Sequence, residues 1–359
     1  MPVGAALHIG LGLGRIRHWH DGLGEFSRQL GTALAQAAPR LRAERGWQLH
    51  FHLPAALHGE FGPEVGYLGT HTTQRWVHLR PMRFALWHTF HQHNRLRPPA
   101  GTRLRMETVH DLNFLHNKQG AKVERYRRIH RQRLQHLDSA VAITHHVAAD
   151  IARELPGVST PVDVIHNGST DLSGVAQEPL PDMDATPFLL HVSRMAPSKN
   201  IEALLALAAA WPGQRLVLAG APSPYTEEVR RLVAERGLHN VLIRLDLSES
   251  QKAWAYAHCE GFLFPSLAEG FGLPPLEAMH FGKPVFLSRL TSLPEVGGQE
   301  AFYFDRFDGA AMRAVVEQGL AACAEPGRRA RIAAHARQFS WRRCADAYLA
   351  LYARLLEAR

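Results

Sequence analysis

The alternation of short apolar runs with helical segments constrains the fold more than any other feature of this chain. Phe188 to Val192, Arg215 to Ala219, Val241 to Ile243, Gly261 to Phe264 and Val285 to Leu287 read as strands, with a helical stretch between each pair. The earlier half repeats the pattern. Ala5 to Leu11 reads as a strand, Gly12 to Gly22 as a long loop, and Gly24 to Ala37 as a helix with Phe26, Leu30 and Leu34 on one face. Gln48 to Leu53 and Arg105 to Val109 are further strands, and Ser139 to Ile143 and Pro161 to Ile165 flank a helix over Ala148 to Leu155. Strands joined through helices pair in parallel, so the predicted class is α/β. The stretch Gln74 to Arg105 mixes Trp76, Phe84, Trp87 and Phe90 with Arg75, Arg80, Arg83, Arg95 and Arg97 and reads as the least regular part.

At 359 residues the chain exceeds what one core serves, which predicts two domains. The segment Gly168 to Pro187, rich in Ser, Gly, Asp and Pro and without periodicity, reads as the linker. Trp341 to Leu356 reads as a terminal amphipathic helix with Ser340 as its N-cap.

A hydrophobic fraction of 46% with 21% charged residues is that of a folded globular protein. No apolar run reaches the roughly 18 residues of a spanning helix. Met1 to Ile9 lacks a cationic n-region and reads as the approach to a first strand rather than a signal peptide. Cys259, Cys323 and Cys344 are odd in number and have no CxxC spacing, so neither a disulfide framework nor a zinc site is implied, and a reducing cytoplasm fits. The pairs His18/His20, His91/His93 and His145/His146 lack an acid at ligand spacing and read as loop and surface histidines, so no metal site is expected. A net charge of +8 favours anionic partners: a nucleotide diphosphate, an anionic lipid surface or nucleic acid. The basic stretch Lys122 to Leu137, with Arg125, Arg127, Arg128, Arg131 and Arg133, reads as a solvated cationic face or as a membrane-surface patch.

The chemistry concentrates in Phe264 to Met279. A buried-strand signal is followed by Glu269, two glycines, a Pro-started helix and Glu277. Gly270 and Gly272 let backbone approach a ligand, Pro274 and Pro275 suit a first helical turn, and the free N–H groups of that turn face an anion. Two carboxylates bracketing an anion-binding turn point to a ligand of which one part is sugar-like and another nucleotide-like, since a phosphate alone would not want them. Arg194 and Lys199 follow the strand Phe188 to Val192 and supply, respectively, a bidentate group and a point charge for phosphate.

Glu269-x7-Glu277 with its glycines, followed by Gly282-Lys283-Pro284-Val285 and Ser292-Leu293-Pro294-Glu295-Val296, resembles the signature of the family 4 retaining glycosyltransferases. Arg194 to Asn200 resembles that family's Gly-Arg-Leu-x-x-x-Lys-Asn turn, with Ser193 in place of the usual glycine. The resemblance implies the GT-B architecture: two Rossmann-like domains facing across a cleft, at residues 1–170 and 171–340, with a helix at 341–359 crossing back to the first. It further implies that Glu277 binds the ribose hydroxyls and that Glu269 approaches the transferred sugar. The backbone N–H groups of Gly270, Phe271, Gly272 and Leu273 then lie near sugar and phosphate.

In the first domain, Asp21-Gly22-Leu23-Gly24-Glu25 resembles the family's glycine loop at the donor diphosphate, so Gly22 and Gly24 are assigned to it. The cluster Gly10-Leu11-Gly12-Leu13-Gly14 either joins them or only shapes a turn. Val109-His110-Asp111 resembles the family's His-Asp segment, with His110 on the donor sugar near the reaction centre and Asp111 toward the acceptor. The expected activity is metal-independent, retaining transfer of a hexose from a nucleotide diphosphate sugar to an envelope glycan or lipid-linked acceptor. His166-Asn167-Gly168 makes mannose, and GDP-mannose as donor, the leading subclass. No cofactor and no nucleic acid partner are expected, and the location is cytoplasmic, with peripheral contact at the inner face of the membrane. A GT-B epimerase, which needs no acceptor, and a non-enzymatic anion- or nucleic-acid-binding protein are the alternatives.

Overall fold

The computed structural model describes residues 6–16, 19, 22–184 and 186–358. Ala5, at the start of the first expected strand, and His18, His20 and Asp21 lie outside the described residues, as does most of the N-terminal segment. The chain divides into two units, residues 1–168 with 340–359, and residues 169–339.

The first unit is built on seven strands: β1 (Leu7–Gly12), β2 (Trp47–Leu53), β3 (Gly66–Gly69), β4 (Leu86–Thr89), β5 (Leu104–Val109), β6 (Ser139–Ala142) and β7 (Val162–Val164). They lie in the order β3-β2-β1-β4-β5-β6-β7, every pairing parallel. The second unit has six: β8 (Phe188–Val192), β9 (Arg215–Gly220), β10 (Val241–Leu245), β11 (Gly261–Phe264), β12 (Val285–Ser288) and β13 (Phe302–Phe304). Their order is β10-β9-β8-β11-β12-β13, again all parallel. Both sheets reverse their winding once, between β1 and β4 in the first unit and between β8 and β11 in the second. Such a reversal splays the following loops apart and opens a crevice at the carboxyl ends of the strands.

Central strands buried on both faces read as continuous apolar runs, which is why β8, β11 and β12 were legible. β4 was not. Leu-Trp-His-Thr carries a histidine where a β-branched residue is expected, yet all four side chains are buried and the strand pairs with both β1 and β5. The region 74–105 thus holds a central strand. The glycines of β1 follow from it: a Cβ at Gly10 would fall 2.1 Å from the Trp87 ring, and one at Gly12 2.8 Å from its Nε1. Those two glycines make room for a tryptophan. The edge strands β3 and β13 were also missed, being short.

The helix Gly22–Arg45 is longer than its periodicity suggested and continues through Pro39, because Ala38 and Leu41 remain on the buried face with Phe26, Leu30 and Leu34. Gly22 and Gly24 are therefore first-turn helical residues, not a separate loop. The expected linker also differs. The change of unit falls between Gly168 and Ser169, and Leu172 and Leu180 are buried, so most of the 168–187 stretch is part of the second unit.

The final helix, Trp341–Glu357, starts where expected, with Ser340 Oγ accepting from the Arg343 N–H at 3.2 Å. It belongs to the first unit and packs on the helix Gly22–Arg45. A fully buried polar network holds it. The His88 ring meets Tyr352 OH at 2.6 Å and Thr108 Oγ1 at 2.8 Å, and Thr108 meets Tyr348 OH at 2.7 Å. All three cysteines are free and buried. Among the described residues no helix is long and apolar enough to cross a membrane.

Histidine is the unusual core residue. Burial is the main cause that lowers His88 and His110 from 6.5 to about 3, and His50, His52, His130 and His191 to about 4. An unfolded chain takes up protons near 6.5, whereas the folded one refuses them until pH 4 or below. Between those values the unfolded state binds more protons, so stability rises with pH and falls on acidification. Urea midpoints at constant ionic strength are expected to drop steadily from pH 7 to pH 5, above the range in which most carboxylates titrate. Equal midpoints at the two pH values would contradict neutral, buried histidines.

Candidate functional site

In the second unit the loops after β8 and β11 flank the winding reversal, and the sequence-predicted residues gather there. β8 ends at Val192, and Arg194 stands exposed two residues on. A short 3-10 turn, Pro197–Lys199, follows, and Asn200 takes a left-handed conformation (φ 54°) before the helix Ile201–Ala210. The loop after β11 is stapled to this turn by the Leu267 N–H donating to Ser198 O at 2.8 Å. Lys199 Nζ and Glu269 Oε1 form an ion pair at 2.5 Å, with only 20% and 12% of their side chains exposed. Lys199 also lies 5.3 Å from the Phe264 ring. The sequence assigned Lys199 to phosphate and Glu269 to sugar; here the two charges hold each other.

The Glu269 loop is held by the side chains of Thr291 and of Ser292, which opens the later Ser-Leu-Pro-Glu-Val segment. The Glu269 N–H donates to Thr291 Oγ1 at 3.0 Å, and Ser292 Oγ bonds the carbonyls of Glu269 and Phe271, each at 3.0 Å. Thr291 takes φ 54° to do this, a left-handed geometry that is rare for a β-branched residue and is a mark of functional loops. Gly272 follows at φ 110° and leads into the helix Leu273–His280. Pro274 and Pro275 occupy its first turns, where a missing N–H costs nothing. Glu277, half-buried on that helix, accepts from Tyr256 OH at 2.7 Å, and Tyr256 is itself fully buried. Tyr256, Thr291 and Ser292 carry the site's geometry, and sequence reasoning gave them no role. Ser292 stood in a quoted motif, but Tyr256 had no signal beyond an aromatic on an apolar helix face.

Ser193, the departure from the family turn, has a local cause. His191 is fully buried: its Nδ1 meets Leu263 O at 2.8 Å and its Nε2 meets Ser193 Oγ at 2.7 Å. A carbonyl can only accept, so Nδ1 carries the proton and the serine hydroxyl donates to Nε2. Gly220 lets β9 pass closely, since a Cβ there would sit 1.9 Å from Ser193 O.

In the first unit His110 stands just past the end of β5. Its Nε2 bonds Phe90 O at 2.9 Å, its N–H donates to Gln92 Oε1 at 3.1 Å, and Phe26 packs edge-on at 4.4 Å. The same argument places the proton on Nε2, which leaves Nδ1 an acceptor on a ring that burial keeps neutral. Asp111 Oδ1 accepts from the Asn113 N–H at 2.9 Å, and Gln92 Nε2 donates to Asp111 O at 3.0 Å. Gln92 thus holds both residues of the His-Asp pair and was missed in the sequence. Gly24 lines a cavity of about 370 Å³ with Arg15, Arg75, His93 and Arg95; no Cβ contact requires a glycine at Gly22. The basic helix is observed as Ala121–Leu134. Two of its arginines are spoken for, Arg127 by Glu124 and Glu154 and Arg133 by Glu107, so its free cationic face is narrower than the sequence implied.

Parallel strands with one winding reversal place a crevice at the carboxyl ends of the strands, where open α/β sheets bind their ligands, and the glycine-broken acidic loop lies at that reversal. Residues 177–338 match the family described as glycosyl transferases group 1. The serotype-specific mannosyltransferase WbdA of Escherichia coli is 35% identical over 199 residues, 52% of this chain and 24% of that protein. The chain thus spans about a quarter of that relative's length. Sucrose-phosphate synthase from Thermosynechococcus elongatus superposes with a TM-score of 0.73 at 20% identity, over 98% of this chain and all of that one. Alr3699/HepE of Anabaena, in complex with UDP and glucose, superposes with a TM-score of 0.64 at 16% identity, over 97% and 99%. The fold is accordingly the GT-B fold of two Rossmann-like domains.

Gly272 offers a direct test of the loop. At φ 110° any other residue is strained, and a Cβ would meet Leu293 Cδ2 at 2.8 Å. Gly272→Ala is expected to cost about 1–2 kcal/mol in urea unfolding. No loss from Gly272→Ala would contradict the left-handed geometry.

Proposed function

We propose that the protein is a retaining glycosyltransferase that moves a hexose, mannose first among the candidates, from a nucleotide diphosphate sugar to a glycan or lipid-linked acceptor of envelope polysaccharide synthesis. The observation that carries this reading is the Glu269–Leu273 loop, held open by Ser292 and Thr291 beside Lys199 and Arg194 in a group 1 glycosyltransferase domain. The mannosyltransferase name of the E. coli relative supports the sugar, and the UDP and glucose in the Anabaena structure support the donor type. GDP is the base we infer for a mannose donor.

In the proposed step the bond between the sugar C1 and the diphosphate oxygen breaks while an acceptor oxygen bonds C1 on the same face. The acceptor's proton passes to a leaving phosphate oxygen. Arg194, Lys199 and the first N–H groups of the helix Leu273–His280 take up the charge that develops on the diphosphate. Glu277, oriented by Tyr256, binds the ribose; Glu269 faces the sugar, and His110 accepts from a sugar hydroxyl. Asp111 belongs to the acceptor side. No metal is assigned to the step.

The charge assignment has two arms. Arg194→Ala should lower donor turnover by roughly ten- to a hundredfold, the loss of one charge-assisted hydrogen bond, while Arg230→Ala, paired on the surface with Glu227, should not. Turnover of the wild type should survive EDTA. Loss in EDTA restored by a divalent ion would overturn metal independence, and an unaffected Arg194→Ala would overturn the phosphate role.

We also infer a cytoplasmic protein that touches an anionic membrane through exposed arginines of the first unit. Binding to anionic vesicles should exceed binding to neutral ones and fall between 50 mM and 500 mM salt, as screening over roughly 10 Å at 0.1 M dictates. Equal binding to both vesicles would leave those arginines as a solvated surface.

A further inference from the structure

Two cavities of the first unit adjoin, and their chemistries differ. The first, of about 370 Å³, opens beside the start of the helix Gly22–Arg45 and is lined by Arg15, Arg75 and Arg95. Among the described residues no carboxylate lines it, and none of the three guanidinium groups forms an ion pair. Arg75 is half-buried with its Nε unpaired among the described residues. The second cavity, of about 680 Å³, has an apolar wall of Trp76, Val77, Leu79, Leu96 and Pro98 and is edged by Arg97, Arg105 and Arg133. Its carboxylate, Glu107, is neutralised by Arg133. Asn94, Arg95 and Leu96 line both cavities and form their shared wall.

The apolar side chains of the second cavity are left in water on a backbone that is held in place. Trp76, Val77 and Leu79 are 65%, 59% and 73% exposed. Yet the Trp76 and Val77 N–H groups bond Thr73 O, the Arg97 N–H bonds Gln74 O, and the His78 ring bonds Arg97 O at 2.7 Å. Exposed apolar groups of this size on fixed backbone mark a surface that meets an apolar partner. Guanidinium groups without carboxylates mark a phosphate site.

We propose that the two cavities together form one acceptor subsite for a lipid phosphate: the phosphate lies among Arg15, Arg75 and Arg95, and the hydrocarbon chain runs past Leu96 along Trp76, Val77 and Leu79. The two parts are continuous across Arg95, so a single amphiphile satisfies both. This deepens the glycosyltransferase reading and rests on it for the word acceptor, by choosing a lipid-linked acceptor over a free glycan.

The test uses geranyl diphosphate, geraniol and inorganic pyrophosphate as probes, each below its aggregation point. Calorimetric titrations are run on the full chain in an Arg194→Ala background, so that the cation assigned above to the donor diphosphate does not contribute. Geranyl diphosphate should bind at least about tenfold more tightly than either other probe, since each half of the ligand adds its own contacts. Arg75→Gln with Arg95→Gln should remove the advantage over geraniol. Trp76→Ser with Leu79→Ser, at exposed positions that leave the core intact, should remove the advantage over pyrophosphate. Equal binding of geranyl diphosphate and pyrophosphate, or variants that bind all three probes like the parent, would overturn the proposal. A thermal-shift series with GDP and UDP on the wild-type chain separates the two readings. Nucleotide binding without geranyl diphosphate binding sinks this subsite alone, whereas the reverse sinks the transferase reading and leaves a lipid phosphate site.

Discussion

The second unit depends on one pairing, β8 beside β11. Only two residue pairs join these strands, Gly261 with Leu189 and Phe262 with Leu190, yet they set two chain segments far apart in sequence side by side with the same polarity. The winding reverses there, and the loops beyond Val192 and Phe264 lie side by side, joined by the Leu267–Ser198 hydrogen bond and the Lys199–Glu269 ion pair. Arg194, Lys199 and Glu269 all lie on those loops. A Cβ at Gly261 would meet the Phe286 ring at 2.7 Å, so the close fit of β11 against its neighbours is decided at a strand position, away from the loop that carries the chemistry.

The first unit meets a different constraint, since its last helix is separated in sequence from the rest of it by the whole second unit. Apolar packing alone would specify that return poorly, because a helix face of Tyr, Leu and Ala fits many grooves. The His88, Thr108, Tyr348 and Tyr352 network is directional and fully buried, so a helix seated one turn out would leave several polar groups unsatisfied, at about 1–3 kcal/mol each. The histidine that concealed β4 in the sequence is the residue that registers the terminal helix.

That coincidence shows where sequence reading succeeded and where it ran short. Strands buried on both faces, such as β8 and β11, and capped helices, such as Trp341–Glu357, announce themselves through apolar runs and a hydroxyl at the right place. The grouping of Arg194, Lys199 and Glu269 at one end of a parallel sheet was also legible, since it follows from strand–loop order. What was not legible depends on contacts between distant residues. The Lys199–Glu269 pair joins positions 70 apart, Ser292 reaches back to the Glu269 loop, and Tyr256 bonds Glu277 from another helix. The extent of the first helix was missed because Pro39 punctuates it, although the burial of Ala38 and Leu41 outweighs the proline. The change of unit falls within the expected linker, at its first peptide bond, but the rest of that segment lacks periodicity and still buries two leucines.

The buried histidines also divide the chemistry between the two units. His110 is held below its ordinary range chiefly by burial, and the Phe90 carbonyl accepts a hydrogen bond from its Nε2–H. A ring in that state can accept one hydrogen bond at Nδ1, and it can neither neutralise a phosphate nor act as a cation at neutral pH. Gln92 keeps it there by binding the His110 N–H and the Asp111 carbonyl together. His191 is likewise neutral, and its acceptor nitrogen is occupied by Ser193. In the proposed reaction, charge stabilisation in the second unit therefore falls to Arg194, to Lys199 and to helix N–H groups, with Lys199 already paired with Glu269. A cation so committed is neither lost to bulk solvent nor free to wander. Under the proposed function a diphosphate competes with one carboxylate for a group already in position, and the ordering entropy of that long side chain has been met before any ligand binds.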